Sequence, residues 1–227
     1  MRPINRGFPP VDSAGTPLVF TQYADAKSEL IARLGEFCSF CERRIKAGIH
    51  IEHVRHKDAY PHLECEWTNL LLACVNCNST KGTNEVGNFL YLPDRDNTFR
   101  CLTYVAAGRV QTTAGLFPAE KSKATRLIRL VGLDRDPVHD PKAKDLRWNH
   151  RREAWDLAIR YKGQFDAGLI GVDAIVDLCA AGGHWSIWMT VFGGNPAVRL
   201  ALIAAAVGTA ACFDAAGDPT PRLGGQV

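Results

Sequence analysis

Residues Cys38 to Lys81 read CSFCERRIKAGIHIEHVRHKDAYPHLECEWTNLLLACVNCNSTK. Two Cys-x2-Cys knuckles, Cys38/Cys41 and Cys74/Cys77, bracket a Glu-His pair at Glu52 and His53. Asn69 precedes the second knuckle and Asn78 follows it directly. A single knuckle carries little information. Two of them predict a structural zinc site, because Zn2+ takes four soft ligands in a tetrahedron and each knuckle supplies two. The 32 residues between Cys41 and Cys74 exceed ordinary zinc-finger spacing. The metal would therefore clamp the ends of a larger excursion, and that excursion carries Glu52, His53 and Asn69.

Gly48 to Val54 alternates in polarity and predicts a short strand, with Ile49 and Ile51 toward the core. On an ideal strand Glu52 and His53 face opposite sides, so either the strand ends, twists or bulges there to give a shared site, or only one of the two is catalytic. Leu70 to Ala73 predicts a second, buried strand. Asn78-Ser79-Thr80-Lys81 predicts a helix start, which gives Asn78 a capping job beside any ligand job. Taken without its neighbours, Glu52-His53 reads as a surface pair and Asn69 as a turn residue. His50, His56 and His62 crowd the same loop and read as solvated.

The order of these residues resembles the HNH endonucleases, and more closely the HNH nucleases of retron-associated and Septu-type antiphage systems. The pattern C-x-[YF]-C-E-R-x-I is met by Cys38, Phe40, Cys41-Glu42-Arg43 and Ile45. Ile51-Glu52-His53 follows, then Trp67-Thr68-Asn69-Leu70-Leu71-Leu72, and the pattern closes on Cys74, Cys77-Asn78 and Lys81-Gly82. The specific part covers about a fifth of the chain. The Pro that many HNH proteins carry two residues after the His is Arg55 here, with His56 beyond it.

The resemblance implies a ββα-metal core and hydrolysis of phosphodiesters in DNA, with RNA not excluded. In it His53 is the base that activates water, and a neutral imidazole suits that task because its pKa lies near working pH. Glu52 and Asn78 would hold Mg2+ or Mn2+, and Asn69 would brace the loop that aims the imidazole. Arg55 and Lys81 are candidates to meet phosphates. The resemblance further implies a role as the nuclease of an antiviral defence system with an ATPase partner of the SMC/ABC type. The alternative is a zinc-stabilised nucleic-acid-binding or adaptor module without catalysis, since the usual last His of the motif is Asn78 here.

Working outward, residues 1–22 carry Pro3, Pro9, Pro10 and Pro17 and predict an extended arm, lying on the surface or partly disordered. Residues 23–92 form the predicted nuclease core, entered through a helix between Tyr23 and Phe37. Residues 93–162 predict a hairpin around Ala107-Gly108, a helix from Ala119 to Val131 and a basic helix from Lys144 to Tyr161. Between Lys121 and Lys162 there are twelve Lys/Arg against six Asp/Glu, so Arg147, Arg151 and Arg152 are nucleic-acid candidates. Residues 163–227 are small and apolar, predict helices and offer a docking layer for a partner, followed by a loose tail after Asp214. The fold class expected is α+β, a four-cysteine zinc core followed by a mainly helical C-terminal region.

Composition narrows the setting. The chain has 227 residues, 46% hydrophobic and 22% charged, with a net charge of +3. These values are ordinary for a globular protein, and the mild charge says little about partners. Eight cysteines without a secretory leader predict thiols in a reducing, cytoplasmic compartment, four on metal and four in the core. Cys65, Cys101, Cys179 and Cys212 are those four. The most apolar run, Leu200 to Phe213, is too short to span a bilayer.

Overall fold

Leu70-Leu71-Leu72-Ala73 forms strand β2 (Leu70–Ala73), buried along its whole length, as its uninterrupted apolar character predicts. It pairs antiparallel with β1 (His50–His53), placing Ile51 opposite Leu72 and His53 opposite Leu70. Helix α2 (Val75–Lys81) leaves β2 without a loop. The resulting ββα unit carries the Cys38–Lys81 excursion, in a computed structural model that describes residues 1–137 and 144–227. The chain reaches it through helix α1 (Lys27–Leu34), which ends at Gly35.

Beyond the unit come a single helical turn, α3 (Thr98–Cys101), and the hairpin β3 (Leu102–Val105) and β4 (Arg109–Thr112). The turn of this hairpin ends at Gly108, with φ 65°, where a Cβ would collide with the backbone of Arg151. Helix α4 (Pro118–Leu130) begins on Pro118 and is followed by α5 (Arg147–Asp166). The C-terminal half continues as α6 (Val172–Gly182), α7 (Trp185–Val191) and α8 (Pro196–Ala205), the helical layer that the apolar composition predicts. No helix among the described residues is long and apolar enough to cross a membrane. Of the four cysteines outside the knuckles, Cys101, Cys179 and Cys212 are buried and Cys65 is partly buried.

Two apolar cores form. One joins the ββα unit with α1, α4 and the two chain ends. The other is built around α7, with Trp185, Trp188 and Phe192 fully or nearly buried. Glu42 ties the two together. It is 2% exposed, with φ 64°. Its Oε1 accepts from the Arg2 backbone N–H and the Tyr104 hydroxyl, both at 2.9 Å, and its Oε2 accepts from the Ser186 N–H at 2.7 Å. Burial alone would raise the Glu42 pKa, yet the positive charge and donors around it hold it below the usual carboxylate value. Removing such a charge strands its donors, so Glu42→Ala is expected to cost about 3–5 kcal/mol. Thermal unfolding reads this as a fall in Tm, and an unchanged Tm would contradict the assignment of Glu42 as the tie.

Both predicted loose ends are corrected. The arm is extended, but Met1, Arg2, Ile4 and Arg6 are buried. The Ile4 N–H donates to Pro93 O at 2.8 Å, the Arg6 guanidinium pairs with Asp94, and the Arg2 guanidinium reaches Leu34 O. Long-range partners thus hold the first turns of chain, while residues 7–9 and 11–19 stay exposed. The tail is held as well. Gln226 donates its N–H to Asp96, Val227 O accepts from the Asn97 N–H, and Arg222 bonds Ile4 O at 2.7 Å.

Candidate metal centre and adjoining cleft

The knuckles meet. Cys38, Cys41, Cys74 and Cys77 are all buried, and their sulfurs lie within 4.8 Å of one another. Cys41 Sγ and Cys74 Sγ are 3.7 Å apart. A zinc tetrahedron with bonds of about 2.3 Å has sulfur–sulfur edges of about 3.8 Å, so the donor set and spacing are compatible with a zinc site. Within each knuckle a backbone N–H points at the first sulfur, Cys41 N at Cys38 Sγ and Cys77 N at Cys74 Sγ, at 3.5 and 3.4 Å. These bonds favour the thiolate form that a metal needs.

Cys74 is thereby the N-cap of α2. The predicted cap at Asn78 is displaced by four residues, because the thiol of Cys74 takes the capping bond. Asn78 lies inside the helix, and its capping job falls away.

Arg147 is the unforeseen partner of the cluster. It was a nucleic-acid candidate, but it is 2% exposed, and its Nη1 donates to Cys77 Sγ at 2.8 Å. Burial works against its charge, but Asp145 and the cysteine sulfurs outweigh that and hold it firmly protonated. Arg151 is likewise 2% exposed, spending its guanidinium on Gly108 O and Leu133 O. Neither arginine is available at the surface, which corrects both assignments. The basic count predicts charge on α5, but helix composition does not reveal which charges turn inward. Arg152 is exposed, over the Trp148 ring. Lys142, counted in the same basic segment, lies outside the described residues.

Beside the cluster is an open cleft of about 260 Å³, whose lining includes Tyr23, Glu52, His53, Lys57 and Asn78. The strand paradox is solved by the first of the three options: β1 pairs regularly and ends at His53, so the cleft wraps the strand end. His53 Nε2 donates to the carbonyl of Glu64 at 2.9 Å. A carbonyl only accepts, so in the neutral ring Nε2 carries the hydrogen and Nδ1 keeps a lone pair. Burial lowers the His53 pKa, opposed by the Glu64 carbonyl, and the neutral ring is favoured. The Tyr23 ring packs edge-on at 4.9 Å.

Asn69 fixes the loop that presents Glu64. It is 4% exposed; its Nδ2 donates to Arg55 O and Leu63 O, both at 3.0 Å, and its Oδ1 accepts from the Arg55 N–H at 2.8 Å. His56 and Tyr60 tie the same loop to Glu85. His50 and His62 are exposed. Arg55 is exposed over the Tyr60 ring.

Lys81 departs from its assignment as a phosphate contact. It has no exposed surface, and its Nζ bonds Glu52 Oε1 and His53 O, each at 2.7 Å. Burial raises the Glu52 pKa and Lys81 opposes it. The i to i+3 spacing of Asn78 and Lys81 on α2 could have signalled that both face one strand. Nothing local signalled Glu64 or Arg147. The cleft thus offers a carboxylate, an amide and a neutral imidazole, hard oxygen donors beside a nitrogen base.

No protein-family model matches the chain. Over 62 residues it is 37% identical to the Septu protein PtuB of Bacillus thuringiensis, a match that covers 26% of this chain and 24% of that protein. The chain therefore shares with this relative only about a quarter of either length.

Proposed function

We propose that the chain is a metal-dependent HNH endonuclease acting on DNA, serving as the nuclease of a Septu-type antiviral defence system. The observation that carries this reading is His53: a neutral ring anchored by Glu64, with Nδ1 free of any hydrogen bond among the described residues, in one cleft with Glu52 and Asn78. The partial likeness to PtuB adds the defence setting.

In this mechanism His53 Nδ1 takes a proton from a water lined up behind phosphorus. Asn69 keeps the Glu64 carbonyl in place, so the ring holds its tautomer and direction. Glu52 and Asn78 would hold Mg2+ or Mn2+; the donor set fits, since one carboxylate and one amide oxygen suit a hard cation that keeps several waters. Such an ion supplies charge neutralisation at the phosphoryl and leaving oxygens. Lys81 already pairs with Glu52 Oε1, so Glu52 would have to serve an added cation alongside that internal one. Arg55 is the exposed cation nearest in sequence to His53 and remains the phosphate contact of choice, with Arg152 on α5. The implied partner is an ATPase of the SMC/ABC type, docking on the helical C-terminal layer, where Leu169, Leu200 and Val207 are exposed.

The Lys81–Glu52 pair changes what a standard variant does. Glu52→Ala leaves an unpaired buried ammonium, costing about 3–5 kcal/mol in stability besides any loss of metal. Glu52→Gln keeps a hydrogen-bond acceptor for Lys81 and is the cleaner test. The experiment is nicking of supercoiled plasmid, with structured RNA alongside, in Mg2+ and Mn2+ titrations with and without the ATPase partner. DNA nicking that requires the metal, and that Glu52→Gln shifts to higher Mn2+ concentration, is the expected result. Absence of cleavage under every condition would leave the adaptor reading instead, and cleavage of RNA alone would overturn the substrate.

A further inference from the structure

The Cys41-Glu42-Arg43 turn runs from the cysteine cluster straight against the C-terminal layer. Arg43 bridges Gly183 through backbone, and Glu42 O accepts the His184 N–H at 2.9 Å. Gly183 has φ 79°, and a Cβ there would stand 2.5 Å from Glu42 O, so this approach needs glycine. On this seam lies a pocket of about 390 Å³ whose lining includes Arg43, Arg44, His150, Glu153, His184 and Trp188.

Its hydrogen-bonding capacity is unmet. Arg43 is half-buried and its guanidinium has no partner among the described residues. Arg44 bonds Ala180 O at 3.2 Å and pairs with Glu36 at 3.6 Å, but its Nε is buried without a partner. His184 is 4% exposed, and neither ring nitrogen makes a hydrogen bond among the described residues, with Nδ1 fully enclosed. Its backbone is left-handed, φ 58° and ψ 43°, a conformation that costs a non-glycine residue about 1 kcal/mol or more. The lining has one carboxylate, Glu153, whose Oε1 accepts from Asn149. Native interiors rarely leave several donors idle in one place, and such clusters call for a missing acceptor.

We propose that this pocket binds a small phosphorylated ligand of the phosphate-monoester class, across the seam between the knuckle and the helical layer. Two guanidinium groups with unused donors, Arg43 and Arg44, face a single carboxylate in this lining and favour an anion, since guanidinium forks match phosphate oxygens. A volume of about 390 Å³ lies in the range of small-molecule sites. The bound group would join Arg43, one residue from the tie Glu42, to α5 and α7. This inference is independent of the nuclease reading, since none of these residues lines the Glu52–His53 cleft.

The test is calorimetry and thermal unfolding of the zinc-loaded full chain with inorganic phosphate, AMP and ATP, and separately with a short DNA duplex. Binding of phosphate or a nucleotide is expected to raise Tm, and Arg43→Ala to weaken it about tenfold or more, with Arg43→Lys partly restoring it. Arg43 has no side-chain bond to lose, so Arg43→Ala is expected to fold as the wild type does. His150→Ala gives a second variant on another element, with the same expected direction. Failure of all three ligands to bind at millimolar concentration would overturn the proposal. So would equal binding to wild type and Arg43→Ala, or an Arg43→Ala defect confined to the duplex.

Discussion

Cys38→Ser is expected to leave the chain unable to fold around its first core, not merely less stable. The four sulfurs converge from two knuckles that flank the ββα unit, and no disulfide substitutes for them. Structural zinc contributes about 10–16 kcal/mol in small peptides, comparable to the whole stability of about 5–15 kcal/mol of a typical domain. Without the ion, four buried thiols face one another with no metal to satisfy them, and Arg147 keeps Asp145 but loses the thiolate charge at Cys77. The loss should therefore be cooperative and should extend to α5, which Arg147 anchors to Cys77. Metal analysis and circular dichroism check this together. The expected result is one zinc per wild-type chain and a loss of both zinc and cooperative unfolding in Cys38→Ser; a folded, zinc-free variant with the wild-type Tm would contradict it.

Arg147 extends that expectation. Arg147→Ala removes the cation beside Cys77, so it belongs with the metal variants and not with the surface ones. The triple change of Arg147, Arg151 and Arg152 that tests a basic face would instead damage the interior. Arg152 and Arg55 are the residues at which a salt-dependent affinity can be tested without that confusion.

Much of the metal centre was legible because it is local. Two knuckles, a strand-length alternation over Gly48 to Val54 and an unbroken apolar run at Leu70–Ala73 all sit within one stretch, and periodicity and ligand spacing decide them. The bracing role of Asn69 came only from the family resemblance, since the residue taken alone reads as a turn residue. What escaped depends on distant partners. Glu42 looks like one more charged residue after a knuckle, and its donors come from Arg2, Tyr104 and Ser186. Met1 and Ile4 sit in a Pro-rich arm that composition marks as loose, yet Pro93, Thr98 and Gly208 give that arm hydrogen-bond partners. Asn78 had the better capping propensity, but Cys74 already lies at the turn where α2 begins. Lys81 reads as a phosphate contact until its burial against Glu52 is seen. Apart from the cap of α2, which is decided within one turn, these misses exchange a local preference for a contact distant in sequence.

The central claim is that His53 is the base of a phosphodiester hydrolase, and His53→Ala should show the largest catalytic effect of any single change. A positioned general base contributes about a hundredfold to ten-thousandfold. The variant should lose that much because it removes Nδ1, while the other imidazole lining the cleft, His56, is bonded to Glu85. Its cost to the fold is small, since the ring is half-buried and, among the described residues, makes one hydrogen bond, to Glu64, besides its edge contact with Tyr23. The deciding measurement is the rate of nicking of supercoiled plasmid in saturating Mn2+ by wild-type and His53→Ala proteins matched for zinc content and Tm. A fall of at least about a hundredfold, with DNA binding retained, is the predicted result. Cutting by the matched His53→Ala protein at the wild-type rate would contradict it.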